Sequence, residues 1–216
     1  MSVDASPAAA PAPLPPFPSP IEGVRVLLRC YTVEDAPVLK EAVDETREAL
    51  LRWMPWGQDH RTIEQSVAFC GRSYGRFHAR EDFILAIFEK ASRRFLGGTG
   101  LHVKNAPARA FELGYWIRAS AEGKGYVQEA ARLVTAAGFE SMGANRVMVR
   151  CDTANERSRR VIARAGFPLE GTARRESVRS DGTLSDVVSY AMVREDYEAA
   201  RARWREEAGR ASGGSS

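Results

Sequence analysis

The chain has 216 residues, 44% hydrophobic and 27% charged, with a formal net charge of +3. That length and mix suit a single compact core, and a charge so near balance does not demand nucleic acid as a partner. No apolar run approaches the roughly eighteen residues that span a bilayer, and no basic start precedes a signal-peptide-like run, so the chain reads as soluble. The three cysteines, Cys30, Cys70 and Cys151, lack Cys-x-x-Cys spacing, which favours reduced structural thiols in a cytoplasm and argues against a zinc site.

Residues 1–20 hold seven prolines, five alanines and almost no charge, and are expected to form a disordered leader. Residues 21–198 are expected to form the domain, and 199–216 a helical to disordered tail. A first strand is predicted over 24–31 from its alternation. Thr32 with Asp35 makes an N-terminal capping pattern for a helix reaching about Val43, with Pro37 tolerated in the first turns. Thr62 with Gln65 repeats that pattern for a helix ending near His78. Strands follow at 83–88, 95–103 and 111–117, the last two joined by a turn with Asn105 and Pro107 that suits antiparallel pairing.

A helix is predicted over 125–142, because Val127, Ala130, Val134 and Ala137 share one face, and Gly143 can stop it in a left-handed cap. The remainder reads as a strand over 145–151, a short helix capped by Asn155, and closing strands near 169–177 and 184–193. Residues 201–210 mix Arg with Glu as a solvated helix does, and Trp204 can dock that helix on the domain; 211–216 are expected to be unstructured. The fold class is therefore α/β (α+β), with one mixed central sheet flanked by helices, and no internal repeat is evident.

The run Gly123-Lys124-Gly125 lies between the strand-like Leu113-Gly114-Tyr115-Trp116-Ile117 and the long helix. Two glycines at a helix entrance let the backbone approach a ligand closely while unpaired N–H groups point at it, a geometry that binds anions. A tight strand-to-helix turn is the equally simple structural reading. Gln128 stands where a dinucleotide fingerprint needs its third glycine, and no P-loop Gly-Lys-Ser/Thr is present.

Downstream come Asn145-Arg146-Val147-Met148-Val149-Arg150-Cys151, then Asp152-Thr153-Ala154-Asn155-Glu156-Arg157-Ser158, then Ala165-Gly166-Phe167. This ordered set resembles the GCN5-related N-acetyltransferases (GNAT), most closely their RimJ/RimL-like branch. The resemblance spans roughly residues 22–195, with further matches in Leu51-Arg52-Trp53-Met54-Pro55-Trp56, Phe111-Glu112-Leu113-Gly114-Tyr115-Trp116 and Leu169-Glu170-Gly171. Ser120 departs from the family's usual Gln or Arg, and Glu122 sets an acid beside the turn, with Lys124 able to offset it.

The resemblance implies a GNAT fold and acetyl-coenzyme A as cosubstrate, with no metal. Gly123, Lys124, Gly125 and Tyr126 would meet its pyrophosphate, and Asn155 and Ser158 its pantetheine arm near the thioester. A backbone N–H near Ile117 or Arg118 would stabilise the oxyanion. Ser158 is the first candidate to assist the departing thiolate, against a plain capping or packing role, and Asn155 is equally a good N-cap. Glu112, Glu176 and His102 are candidate bases, with surface ion pairs or an exposed strand end as the alternatives. Trp53 and Trp56 would border the acceptor groove or simply close a helix junction. Arg157, Arg159, Arg160 and Arg164 form a solvated helix face, from which one could meet the cofactor's 3′-phosphate.

The function implied is acetyl transfer to an amine, with a protein N-terminal α-amine as first acceptor. A small amine, such as an antibiotic or polyamine, is the second reading, and a non-catalytic coenzyme A-binding or ribosome-associated protein the third. Partners are the cosubstrate and the acceptor, without membrane or direct nucleic acid; a homodimer is left open.

Overall fold

The computed structural model describes residues 13–213. Two strands, β1 (Ile21–Glu22) and β2 (Val26–Cys30), precede helices α1 (Ala36–Trp53) and α2 (Ile63–His78). Then come β3 (Asp82–Glu89), β4 (Phe95–Asn105), β5 (Ala110–Ile117), α3 (Tyr126–Glu140) and β6 (Arg146–Asp152). The chain closes with α4 (Glu156–Ala165), β7 (Leu169–Val178), β8 (Leu184–Val193) and α5 (Arg194–Gly213). The strands form one eight-stranded sheet in the order β1-β2-β3-β4-β5-β6-β8-β7.

Within the sheet every neighbouring pair is antiparallel except β5 with β6. That exception follows from α3, because a parallel pair needs a crossover connection and a helix is the usual one. Alternation along the strands divides the core. Leu28, Leu85, Leu101 and Val147 pack with α3, α4 and α5 on one face, while Leu27, Ala86, Phe88 and Phe95 pack with α1 and α2 on the other. The mixed sheet with helices on both faces is the architecture expected from the sequence. No helix among the described residues is long and apolar enough to cross a membrane.

Local signals settled most boundaries. Both capping boxes form, Thr32 with Asp35 and Thr62 with Gln65. Asn155 caps α4, and Gly143 stands in the left-handed region just beyond α3.

Three boundaries differ from expectation. Helix α1 runs ten residues past Val43 to Trp53. The polar Asp44-Glu45-Thr46-Arg47 looks like a stop, yet Leu39, Val43, Thr46 and Leu50 are all buried on one helical stripe. The helix ends where Met54 turns extended before Pro55, as a residue preceding proline tends to do. The leader is shorter than expected at its C-terminal end. Leu14 and Phe17 are 7% and 5% exposed, and Phe17 stacks on Phe83 with ring centroids 5.2 Å apart. Residues 1–12 lie outside the described residues. At the other end, the 198/199 boundary falls inside α5, which continues to Gly213 and docks Trp204 against Tyr197 and the Arg132 guanidinium.

Candidate active site

Strands β5 and β6 pair only from Ala110↔Arg146 to Glu112↔Met148. Beyond Glu112 they part, so the rest of β5 has an open edge on that side. The direction of its backbone groups follows from a neighbouring bond. The Arg118 N–H donates to the Leu96 carbonyl on β4 at 2.7 Å, so by alternation the Ile117 N–H faces the fork. A cleft of about 550 Å³ opens there, lined by Tyr115 and Ile117, the glycine turn, and Asn155 and Ser158 of α4, with Trp53 and Met54 across from them.

Gly123 and Gly125 stand at φ 74° and 81°, where a side chain is strained. The first N–H returned to the helix is that of Glu129, which donates to the Gly125 carbonyl at 3.1 Å. The N–H groups of residues 123–128 therefore have no acceptor among the described residues, and they gather at the positive end of the α3 dipole. A Cβ placed on Gly123 meets no atom within 4 Å, so the turn has room for a ligand's anionic group. This donor cradle fits a pyrophosphate.

Arg25 buttresses the turn from beneath. Its Nη1 donates to the Lys124 carbonyl at 2.8 Å, its Nε lies 3.1 Å from Glu129, and its guanidinium sits 5.2 Å from the Tyr126 ring centre. Tyr126 in turn donates to Glu89, and that bond to a carboxylate raises the pKa of its phenol. Glu122 is paired with Arg157 of α4, so its charge beside the turn is balanced from within the protein.

On α4, the Ser158 N–H donates to the Asn155 side-chain oxygen at 3.1 Å, so Asn155 serves as the N-cap while also lining the cleft. The Ser158 hydroxyl lies 2.9 Å from the Tyr115 phenol. Burial lifts Tyr115 well above the usual phenol range, against the lowering effect of the Ser158 bond, so it stays protonated at neutral pH. Cys151 adjoins Ser158 on β6, and burial raises its thiol as well.

The remaining predicted residues are dispersed. Trp53 lines the cleft and also a small cavity of about 60 Å³ shared with Asp152, Arg179 and Ser177 on the β7 side. Trp56 instead packs against Trp116 and His60, with ring centroids 5.6 and 5.7 Å away. The Arg118 side chain turns from the cleft to α1, bonding Glu45 and, at 2.6 Å, Glu41, so its N–H and guanidinium are both engaged.

Neither Glu112, Glu176 nor His102 lines the cleft. Glu112 pairs with Lys104 at 3.0 Å and Arg150 at 3.5 Å, Glu176 with the same Arg150 at 2.6 Å, and His102 with Asp82 at 2.9 Å. Arg157, Arg160 and Arg164 all reach the cleft wall. Sequence reasoning missed Arg25 as a support of the turn, 99 residues from the carbonyl it binds, and no local signal marks it. Tyr115 lies within the run Phe111-Glu112-Leu113-Gly114-Tyr115-Trp116, but its partnership with Ser158 depends on the packing of α4 against β5.

The chain belongs to the GNAT acetyltransferases. The acetyltransferase (GNAT) domain family matches residues 25–168. It is an acetyl-coenzyme A-dependent N-acetyltransferase. Among curated proteins it is similar to the "Putative ribosomal N-acetyltransferase YdaF" of Bacillus subtilis (strain 168), 28% identical over 177 residues, 80% of this chain and 93% of that protein. Among solved structures it shares its fold with RimL, a ribosomal-protein α-N-acetyltransferase in complex with coenzyme A, at TM-score 0.75 and 20% identity, covering 82% of this chain and 97% of that one. The ribosomal-protein-S5-alanine acetyltransferase from Vibrio fischeri is equally similar, at TM-score 0.75 and 20% identity over 83% of this chain and 99% of that one.

Proposed function

We propose that the acceptor is a protein N-terminal α-amine. The observation that carries this reading is the carboxylate content of the cleft: among the described lining residues the only one is Glu122, which Arg157 already holds. A site so poor in base suits an amine that arrives neutral. An α-amine with pKa about 7.7–8.0 is roughly one-tenth neutral at pH 7, whereas a lysine amine near about 10.4 is neutral in roughly one molecule in 2,500. The names of YdaF and RimL point to the same class of acceptor.

Acetyl-coenzyme A supplies an activated thioester. The N–H groups of residues 123–128 and Lys124 hold its pyrophosphate, and the Ile117 N–H donates to the carbonyl oxygen, a contact worth about a hundredfold or more in rate. Ser158 holds a proton for the sulfur, and Trp53 walls the acceptor's approach between the two cavities. Glu112 lies outside the cleft at the vertex of the fork, paired with Lys104 and Arg150, and would take the amine's proton only through water, which is help enough for an amine that arrives partly neutral. The free Cys30, Cys70 and Cys151 support a reducing, cytoplasmic setting.

The test is thiol release with a panel of peptides bearing free N-termini, N-terminally blocked peptides bearing lysine, and small amines. Turnover of the free N-termini alone is expected. Preference for small amines moves the chain to the second reading, and thiol release with none of the panel removes the assignment.

A further inference from the structure

We infer that the Tyr115 phenol orients the Ser158 hydroxyl, leaving the serine's own proton directed into the cleft for the departing sulfur. The inference rests on the role proposed above for Ser158. Tyr115 and Ser158 are 43 residues apart in sequence, yet their hydroxyl oxygens lie 2.9 Å apart, and the phenol is also 3.3 Å from the Ser158 carbonyl. Both side chains line the cleft.

One proton occupies the line between the two hydroxyls, and its origin decides the chemistry. If serine donates to the phenol, its proton is spent there and none faces the sulfur. If the phenol donates, the serine oxygen accepts and its own O–H is free to turn outward. The second arrangement is favoured because a phenol is far more acidic than an aliphatic alcohol and so is the better donor, while the alcohol oxygen is the better acceptor. It is also the arrangement in which the phenol proton is shared between the Ser158 hydroxyl and carbonyl oxygens, as the two distances allow.

Other neighbours compete weakly for the serine proton. The Asn155 oxygen is occupied by the Ser158 N–H, and the Cys151 thiol, which lies within hydrogen-bond reach of the Ser158 hydroxyl, is a weak acceptor. When the C–S bond breaks, its electron pair stays on sulfur, which takes the Ser158 proton. As the serine gives up its proton the more acidic phenol passes its own to the serine oxygen, and solvent then returns to the Tyr115 oxygen the proton that the acceptor nitrogen loses. Tyr115 touches no reacting atom and acts only through Ser158, so it is a positioning residue.

A double-mutant cycle on single-turnover rates tests this. Tyr115→Phe keeps the ring and removes only the hydroxyl. It is expected to lower the rate about tenfold with acetyl-coenzyme A affinity and thermal unfolding near wild type. Ser158→Ala should cost at least as much, and the double variant should be no slower than Ser158→Ala, because the phenol has nothing left to orient. Two results overturn the inference while sparing the role of Ser158: a full rate in Tyr115→Phe beside an impaired Ser158→Ala, or the same fractional loss from Tyr115→Phe in both backgrounds. A full rate in Ser158→Ala removes the serine's role and the inference with it.

Discussion

Replacing Gly123 by alanine tests the anion cradle, and the fold contains its own control. Gly123 stands at φ 74°, and a Cβ there meets no atom within 4 Å, so the cost to the fold is conformational alone. That cost is roughly 1–2 kcal/mol for an L-residue held in the left-handed region. Gly182, in the turn between β7 and β8, stands at φ 83° in equally open surroundings, so Gly182→Ala loses a similar amount of stability. Only at Gly123 does relief of the strain turn cleft-facing N–H groups aside. Each charge-assisted bond to a phosphate is worth about 1.5–3 kcal/mol. Losing one of them weakens acetyl-coenzyme A binding by roughly tenfold to a hundred-and-fiftyfold. Calorimetric titration with acetyl-coenzyme A, paired with thermal unfolding, reads both quantities. If both variants are destabilised alike and both bind as tightly as wild type, the cradle is only a turn.

Other outcomes follow from the same geometry. Arg118 holds the Glu45 carboxyl at about 2 instead of an ordinary 4.5. Because the folded pKa is the lower one, this contribution is full above about 4.5 and is lost as pH falls towards about 2; Glu45→Gln should flatten Tm against pH across that window, and parallel curves would refute the pairing. Glu112→Gln should lower kcat/KM several-fold below about pH 7 and rejoin wild type as the amine deprotonates unaided, whereas Glu176→Gln on the edge strand should leave the profile unchanged. Superimposed Glu112→Gln and wild-type profiles would end its candidacy as base. Phe17→Ala should cost about 3 kcal/mol in denaturant unfolding, since it empties a site between Phe77 and Phe83. A loss below about 0.5 kcal/mol, the range of ordinary surface substitutions, would mean that residues 13–20 do not belong to the core.

What the sequence determined by itself is what depends on near neighbours along the chain. The capping boxes at Thr32 and Thr62, the Asn155 cap three residues from Ser158 and the two left-handed glycines of the turn rest on bonds and dihedrals within a few positions, so residue type and spacing expose them. Runs of strand-forming residues likewise placed β3 to β6, and the turn with Asn105 and Pro107 made the antiparallel pairing of β4 with β5 legible. Tertiary structure decided what sheet register and helix packing bring together. It chose Ile117 over Arg118 as the donor facing the fork, because the Arg118 N–H is taken by Leu96. It extended α1, whose polar stretch is held across 73 residues by the Arg118–Glu45 pair, and it drew Leu14 and Phe17 into the core. It also set Tyr115 beside Ser158 and bound Glu112 and Glu176 to one arginine away from the cleft. A proton's path depends on which hydroxyls and charges lie within about 3 Å of each other, and only the folded chain sets those distances.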